Sequence, residues 1–429
     1  MEKKYFNIKQ HIIVFLCFAY ISIEAMVYDN KWLPELQKLL VKKPDSYGQI
    51  MLQPFAWVGQ DSFWEDFGAE EAGGFSADGS IPLFNLNGLY NQNVLNRAVK
   101  FVGITDSSTF RSDFIDYLPP LLWSMDGIIR AQGLDFTFFQ PWTRHVGWGF
   151  NFFFAHLVSA LQFKPNQNAF GGGSTGDFTD LYHENNQLQD LLCLPSREYS
   201  TVSISDIELY LRCGIVQDYA YKMRHFDIGF NFGALIPTAV KVNYFNPASI
   251  PLGGNGHWGI FASLDGQFEL KENLGVGLLL RLNKRFARKD NRRMVQFTEP
   301  NNYGALFGAS KVDPGVTVIF SPYGQLLRLR SGFGLQAQYT LVYHEADHWR
   351  DLRCGPGHPP ANVEIMERRS EWASEYVTVA GLYDFSKDSK ERTHKPIITF
   401  AVDIPVQFLI TKRVAKTFGI SLTVESTLW

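Results

Sequence analysis

The sequence predicts an all-β protein: a transmembrane antiparallel up-and-down β-barrel of about 12 strands with long external loops. Three observations predict this fold. Apolar residues alternate with polar ones along many segments, most of these segments are close to ten residues long, and short connections alternate with long ones. Alternation with period two indicates a strand with one apolar face, and about ten residues allow a tilted strand to cross a bilayer.

The clearest element is a hairpin formed by residues 258–270 and 274–283. Even-numbered positions of both segments are apolar, and odd-numbered positions are mainly small, polar or charged. Only Phe261 and Gly266 break the rule in the first segment. Residues 271–273 are polar and reverse the chain, so the pattern is typical of two half-buried strands joined by a turn.

The same alternation predicts ten further strands. They cover residues 49–58, 128–139, 146–155, 206–213, 226–233, 315–320, 333–343, 376–385, 398–408 and 418–425. Long polar loops follow the second strand of successive hairpins, at residues 163–203, 238–257, 288–314 and 346–371. Short turns on one side and long loops on the other are expected of an outer-membrane barrel, which also has an even number of strands.

The first 25 residues are predicted to be a secretory signal peptide. Three lysines precede an apolar run over residues 12–23, and a plausible cleavage site follows Ala25. That run is too short to cross a membrane as a helix. No linker or shift of composition divides residues 26–429, so we expect a single outer-membrane β-barrel domain.

Residues 68–121 interrupt the strand pattern. Residues 68–80 are rich in glycine, alanine and glutamate, whereas residues 93–102 carry apolar side chains at helical spacing. We expect a loop with a short helix. It is either folded into the barrel mouth or placed outside as decoration, and the sequence leaves both arrangements open.

Composition supports a location in the outer membrane of a Gram-negative-type bacterium. Aromatic residues make up 15% of the chain and charged residues only 19%. Aromatic girdles at the two membrane interfaces would account for the aromatic excess. A net charge of −3 predicts no nucleic-acid partner.

Three cysteines remain once Cys17 is removed with the signal peptide. Cys213 falls on the apolar face of its strand, where it is expected to act as a small hydrophobic residue. Cys193 and Cys354 lie in long loops. An oxidising compartment would allow these two to pair, but the odd total leaves the pairing open.

Charged and amide side chains on the polar faces of separate strands are the candidate functional residues. We expect them to line the lumen, where they would either pair and close it or flank a path for solute and set its selectivity. These residues are Asp206, Glu208, Arg212, Asp227, Asn231, Asp265, Glu269, Arg281, Gln336, Gln338, Asp403 and Glu425.

The sequence predicts no catalytic residue, metal or cofactor. His344 and His348 match the H-E-x-x-H pattern of zinc proteases, but they continue a predicted strand where the required helix is not expected. Asp206 and Glu208 lie one pleat apart without a nucleophile or base to complete a site. Residues 253–256 lack the following helix and lysine of a phosphate loop.

Several partners are expected. The predicted apolar exterior implies outer-membrane lipid, and the basic, aromatic run over residues 284–293 would meet lipopolysaccharide phosphates at the outer end of a strand. The aromatic Trp429 is an imperfect match to the C-terminal signal that the barrel-assembly machinery reads, because Leu428 is in phase with the apolar face instead. A polar lumen implies a small-molecule solute.

The stretch 206–281 resembles a group of bacterial outer-membrane transporter barrels associated with the degradation of phenol and other aromatic compounds. The resemblance is carried by Ser-Asp-Ile-Glu-Leu at 205–209, Phe-Gly-Ala-Leu-Ile-Pro-Thr at 232–238 and the glycine-rich 252–259. The sequence departs from the family pattern at Ala239, where a glycine is usual. The resemblance implies transport of small, hydrophobic molecules.

Three functional hypotheses follow from these observations. The first is an outer-membrane channel or transporter for small solutes, with selectivity set by the charged residues of the lumen. The second is a structural or surface-interaction barrel with a closed lumen. The third is an outer-membrane hydrolase that uses the barrel as a scaffold.

Overall fold

The structure is a computed structural model. It describes residues 30–34, 48–64, 80–103, 122–143, 145–165, 179–194, 196–218, 224–330, 332–353, 359–385 and 396–427. The predicted signal peptide, Cys354 and Trp429 lie outside these residues, as do 68–79 and 104–121 of the predicted insertion.

Strands dominate the described part of the chain. They are β1 (Gln49–Phe63), β2 (Ser80–Pro82), β3 (Tyr90–Asn91), β4 (Leu122–Pro141), β5 (Val146–Pro165), β6 (Glu198–Ile204), β7 (Ile207–Asp218), β8 (His225–Ile236), β9 (Gly259–Lys271), β10 (Leu274–Arg285), β11 (Arg288–Met294), β12 (Leu306–Asp313), β13 (Val316–Arg330), β14 (Phe333–His344), β15 (His348–Asp351), β16 (Trp372–Asp384), β17 (Ile397–Val406) and β18 (Val414–Thr427). The helices are α1 (Gln92–Phe101), α2 (Thr179–Leu191) and α3 (Val363–Ser370), with short 3₁₀ turns at Leu83–Asn87 and Asn301–Tyr303.

Twelve antiparallel strands close into a ring, which confirms the predicted barrel. The order around the ring is β1, β18, β17, β16, β14, β13, β10, β9, β8, β7, β5 and β4, and β4 pairs again with β1. Ile50 of β1 faces Ser426 of β18 on one side and Phe138 of β4 on the other. The first and last strands therefore pair directly, so the ring has no free edge.

Alternation along the strands sorts side chains to two faces. Outward-facing Phe230, Phe232, Phe400 and Phe418 are each more than half exposed in the isolated chain. These apolar outward positions suit a lipid bilayer, and single-chain barrels of this kind belong to bacterial outer membranes. No helix in the described residues is long and apolar enough to cross a membrane.

An aromatic cluster lies on the outer face near the inner end of β4 and β5. Phe136 and Phe138 pack against Phe150 at ring distances of 5.6 and 5.5 Å, and Trp148 packs against Phe138 at 5.5 Å. The turn that follows β4 is short, as expected on the periplasmic side. The cluster is therefore part of the girdle that the high aromatic content predicts.

The long loops contain more regular structure than their polar composition suggests. Strands β4 and β5 extend well beyond the predicted 128–139 and 146–155, and β6 pairs with the extension of β5. Strands β11, β12 and β15 form a separate three-stranded sheet. Outside the bilayer no single face has to be apolar, so period-two alternation is lost and these strands are hard to detect.

Candidate functional site

Charged side chains of β7, β8 and β9 converge on Arg212. Its Nη2 atom lies 2.7 Å from Oδ1 of Asp227 and 2.9 Å from Oδ2 of Asp265. Each of these residues comes from a different strand, and all three occupy the polar parity of the alternation. Asn231 extends the group by donating to Asp265 at 2.6 Å and to Ser263 at 3.1 Å.

A second ion pair joins strands that are not neighbours. Nη1 of Arg281 on β10 lies 2.6 Å from Oε1 of Glu208 on β7, and β8 and β9 lie between these strands in the ring. The Arg281 guanidinium also stacks on the ring of Phe261 at 3.7 Å. Both ionic side chains are buried, so this contact spans the concave side of the sheet.

Asp206 lies in the first of the three stretches that carry the family resemblance. Its side chain contacts the glycine-rich stretch and the residue that follows the second stretch. Its carboxylate accepts backbone N–H groups of Ala239 at 3.1 Å and Gly254 at 2.7 Å, and it lies 3.0 Å from Nη2 of Arg285. A side chain at Gly254 would collide with Arg285. These contacts hold two turns together at the outer end of β7, which fits the turn-like sequence of the stretches involved.

Glycines of the inner face let large side chains lie flat against the wall. Arg212 covers Gly229, Phe261 covers Gly233, and a side chain at either glycine would collide with its cover. The charged groups therefore stay close to the strands instead of projecting toward the barrel axis.

An amide ladder covers β13 and β14. Gln325 donates to Gln336 at 2.9 Å, Gln336 donates to Gln338 at 3.1 Å, and Gln338 donates to Ser321 at 2.8 Å. Sequence analysis identified Gln336 and Gln338 but not the two residues of β13. The irregular alternation of β13 concealed them.

The remaining predicted residues lie apart from these clusters. Asp403 accepts a hydrogen bond from Thr378 at 2.6 Å on the β16–β17 wall. Glu269 and Glu425 are half-buried at the inner ends of β9 and β18, where their strand neighbours are His225 and Met51 respectively.

A cluster of polar side chains on β4 and β5 is not among the residues predicted from the sequence. Asn151 donates to both carboxylate oxygens of Asp135, at 3.0 and 3.1 Å, and to Thr137 at 2.6 Å. Asp135 and Thr137 alternate with apolar Leu134, Phe136 and Phe138. This alternation is the sequence pattern that could have predicted inward-facing polar residues on β4.

The inner face of β1 and β5 carries an aromatic cluster. Phe55 packs against Trp57 at 4.2 Å and against Phe153 at 5.4 Å, and all three are buried. Because outward residues here are also apolar, the sequence carries no parity signal that would reveal inward aromatics. The interior therefore has an aromatic cluster on β1 and β5 and a charged wall from β7 to β10.

Residues 30–34 stretch across the outer opening. The Lys31 carbonyl accepts from the Ala415 N–H at 2.9 Å, and the Trp32 carbonyl accepts from the Thr417 hydroxyl at 2.6 Å. On the other side Asn30 donates to the Pro251 carbonyl at 2.6 Å. Since β18 and the β8–β9 loop lie on opposite sides of the ring, this short segment bridges the mouth.

Residues 80–103 add to this cover. The 3₁₀ turn Leu83–Asn87 contacts β1, β4 and β18, and Phe84 packs against Trp32 at 5.5 Å. Strand β2 pairs with β1 through Ser62 and Ile81. Residues 30–34 and 80–103 are called the closure segments below, because together they cover the outer mouth along β18, β1 and β4.

The H-E-x-x-H residues are arranged differently from a zinc protease. The segment is not helical: β14 ends at His344 and β15 begins at His348. His344 bonds to Thr317 at 2.8 Å and to Asp347 at 3.0 Å, while His348 is largely exposed beside Glu367. Across the described residues no cluster of side chains has the composition of a metal site.

The basic run over 284–293 does not form the continuous surface expected for lipopolysaccharide. Arg285, Arg292 and Arg293 are all buried. Arg293 donates to the carbonyls of Tyr244 at 2.6 Å and Gly304 at 3.1 Å. Arg285 and Arg293 donate to loop carbonyls, a role that composition alone cannot distinguish from binding a phosphate.

His257 is buried among these arginines. Its Nδ1–H donates to the Phe286 carbonyl at 2.9 Å, and Nε2 accepts from Arg292 at 2.7 Å. Burial, reinforced by the positive charge of Arg292, lowers the pKa of His257 to about 4. The imidazole is therefore neutral at physiological pH.

Both cysteines in the described residues, Cys193 and Cys213, are free and exposed. Cys213 lies on the outward face of β7, in agreement with its apolar parity. The possible partner of Cys193, Cys354, lies outside the described residues.

No known protein family matches the sequence, and no curated protein is detectably similar to it. Solved structures do resemble the chain. An outer membrane channel from Pseudomonas putida F1 is 10% identical, with a TM-score of 0.46 over 94% of this chain and 100% of that one. The toluene transporter TbuX of Ralstonia pickettii is 10% identical, with a TM-score of 0.33 over 89% and 90%.

A Pseudomonas aeruginosa FadL homologue is also 10% identical, with a TM-score of 0.32 over 89% of this chain and 90% of that chain. At such identities the likeness concerns architecture alone. The chain is similar to outer-membrane β-barrel channels.

Proposed function

We propose that this protein is an outer-membrane channel that passes small solutes, hydrophobic ones among them. The observation that carries the proposal is the interior of the closed ring, where Arg281 and Glu208 pair across two intervening strands. Buried charge is costly and is retained where it has a use, such as guiding a solute. The aromatic wall around Phe55 and Phe153 offers a surface for apolar parts of the solute.

The selectivity proposal concerns the residues predicted from sequence. Arg212 and Arg281, with their carboxylate partners, would favour solutes that carry a polar group. The glutamine ladder and Asp403 would continue a polar path along the next strands. Glu269 and Glu425, near the inner end, would meet the solute as it leaves.

The closure segments favour a second possibility, a barrel whose lumen remains closed and whose loops bind other molecules. In the structure described, residues 30–34 bridge the outer mouth. Transport requires these segments to move, whereas a purely structural barrel does not.

Proteoliposome swelling with the full mature chain tests the proposal. We expect swelling in small neutral solutes to exceed that of protein-free vesicles, and single-channel openings in planar bilayers. A folded protein that gives neither, and that also fails to speed the uptake of toluene into vesicles, would leave the closed-lumen barrel as the better description.

Lipid, lipopolysaccharide and the barrel-assembly machinery remain proposed partners. The exposed apolar exterior supports contact with lipid. The lipopolysaccharide proposal rests on fewer cations than the sequence suggests, chiefly the exposed Lys289.

A further inference from the structure

Two buried donors on β10 find no acceptor among the residues that the structure describes. These are Nη2 of Arg281 and Nδ2 of Asn283. Nε of Arg281 donates to Oδ1 of Asn283 at 2.7 Å, so the two groups are adjacent. A buried donor without an acceptor destabilises the folded protein, so such a pair calls for an acceptor from elsewhere.

The neighbourhood of these donors is aromatic. The Arg281 guanidinium stacks on Phe261, and the Phe261 ring lies 6.5 Å from that of Tyr210. Tyr210 in turn lies 6.4 Å from Phe139, with the rings stacked. A row of rings therefore leads from Phe139, on the inner face of β4, to the donors, and aromatic faces favour an aromatic ligand.

The charge near the donors is balanced. Arg281 is neutralised by Glu208 at 2.6 Å, and the next arginine along β10, Arg285, is neutralised by Asp206 at 3.0 Å. An anionic ligand would lie beside the Glu208 carboxylate and be repelled. The acceptor that suits the site is the oxygen of a neutral group.

We propose that Arg281 and Asn283 form a binding subsite for the oxygen of a small neutral aromatic compound, such as an aryl ketone, ester or amide. The proposal deepens the channel function proposed above and rests on it. Both donors are buried in this closed form. The solute therefore reaches them only when the surrounding side chains and the closure segments move.

Binding to the refolded, full mature chain in detergent micelles tests this subsite without requiring transport. The probes are acetophenone, toluene and benzoate, with partition into protein-free micelles subtracted in titration calorimetry. Asn283→Leu should weaken acetophenone binding about tenfold, equivalent to about 1.4 kcal/mol, because one hydrogen bond is lost. Toluene, which has no acceptor, should bind the variant and the parent equally.

Two further variants make the result decisive. Asn151→Leu is the matched control, because its amide is already used by Asp135 and Thr137, and it should leave acetophenone binding unchanged. Arg281→Lys keeps a positive charge for Glu208 but lacks Nη2, so it should weaken acetophenone as Asn283→Leu does. Arg281→Lys also tests the subsite on its own if Asn283→Leu does not fold.

Equal acetophenone affinity in parent, Asn283→Leu and Arg281→Lys would overturn the subsite, and so would an equal loss of toluene affinity. Tighter binding of benzoate than of acetophenone would overturn the neutral chemistry and indicate an anion site. Binding as expected without vesicle swelling or uptake would refute the channel while leaving the subsite intact.

Discussion

At the scale of single residues, the interior is organised by pairing between strands. Arg212 and Arg281 each hold carboxylates from other strands, and Asp206 clamps two turns through their backbone N–H groups. Such contacts offset the cost of burying charge, and removing one partner leaves the other charged and buried.

The Arg281–Glu208 pair predicts a non-additive pair of substitutions. Arg281→Met should lower the free energy of unfolding by about 3 kcal/mol, because Glu208 is left buried without its partner. Adding Glu208→Leu should recover much of that loss. Urea unfolding of vesicle-inserted protein provides the measurement, and strictly additive losses would show that the two side chains do not depend on each other.

His257 predicts a dependence of stability on pH. Its pKa is about 4 in the folded protein and about 6.5 when unfolded, so the unfolded state takes up a proton first as the pH falls. Stability should therefore be full above pH 6.5 and should decline between pH 6.5 and 4. The decline should be shallower in His257→Gln, measured by urea unfolding across this range. Identical pH profiles for the two proteins would contradict the assignment.

At the scale of elements, large inward side chains lie over inward glycines of a neighbouring strand. Arg212 lies over Gly229, and the two come from neighbouring strands β7 and β8. The alternation along the strands therefore does more than separate polar from apolar residues. Small inward positions give room for the charged groups to lie along the wall.

Gly229→Ala should test this matching. The added methyl group would collide with the Arg212 guanidinium, so we expect a loss of about 1–3 kcal/mol in the free energy of unfolding. Gly324→Ala is the control, since open space surrounds that position. It should change stability by no more than about 0.5 kcal/mol. Equal effects of the two substitutions, in the same urea unfolding assay, would show that Arg212 can move aside freely.

At the scale of the whole molecule, the barrel is asymmetric. The wall from β7 to β10 carries ion pairs, while β1 and β5 present aromatics to the closure segments. Residues 30–34 connect these two sides by reaching from β18 to the β8–β9 loop. The closure segments therefore contact two opposite sides of the barrel mouth.

A reversible cross-link should test closure. Ser62 and Ile81 face each other across the β1–β2 pair, so cysteines at both positions are placed to form a disulfide. In a background with the native cysteines changed to serine, oxidation should reduce vesicle swelling and a reductant should restore it. Each single-cysteine variant is the control. Unchanged swelling after verified cross-linking would mean that β2 need not leave β1.

The barrel architecture could be predicted from the sequence. Lipid on one face forces apolar residues onto every second position, so each of the twelve predicted ranges overlaps a strand of the ring. The pattern also placed Arg212, Asp227 and Asp265 on the inner face. It could not do so for Phe55 and Trp57, because both faces of that strand are apolar.

The contacts between inward side chains could not be predicted from the sequence. Glu208 and Arg281 are 73 residues apart, and their contact depends on the register of three successive strand pairs. The burial of Arg285 beside Asp206 likewise overrode its place in a basic run. Alternation reports the face that a side chain occupies and the medium it meets. It carries no information on which side chains of that face come together, because register and loop folding are set by the whole molecule.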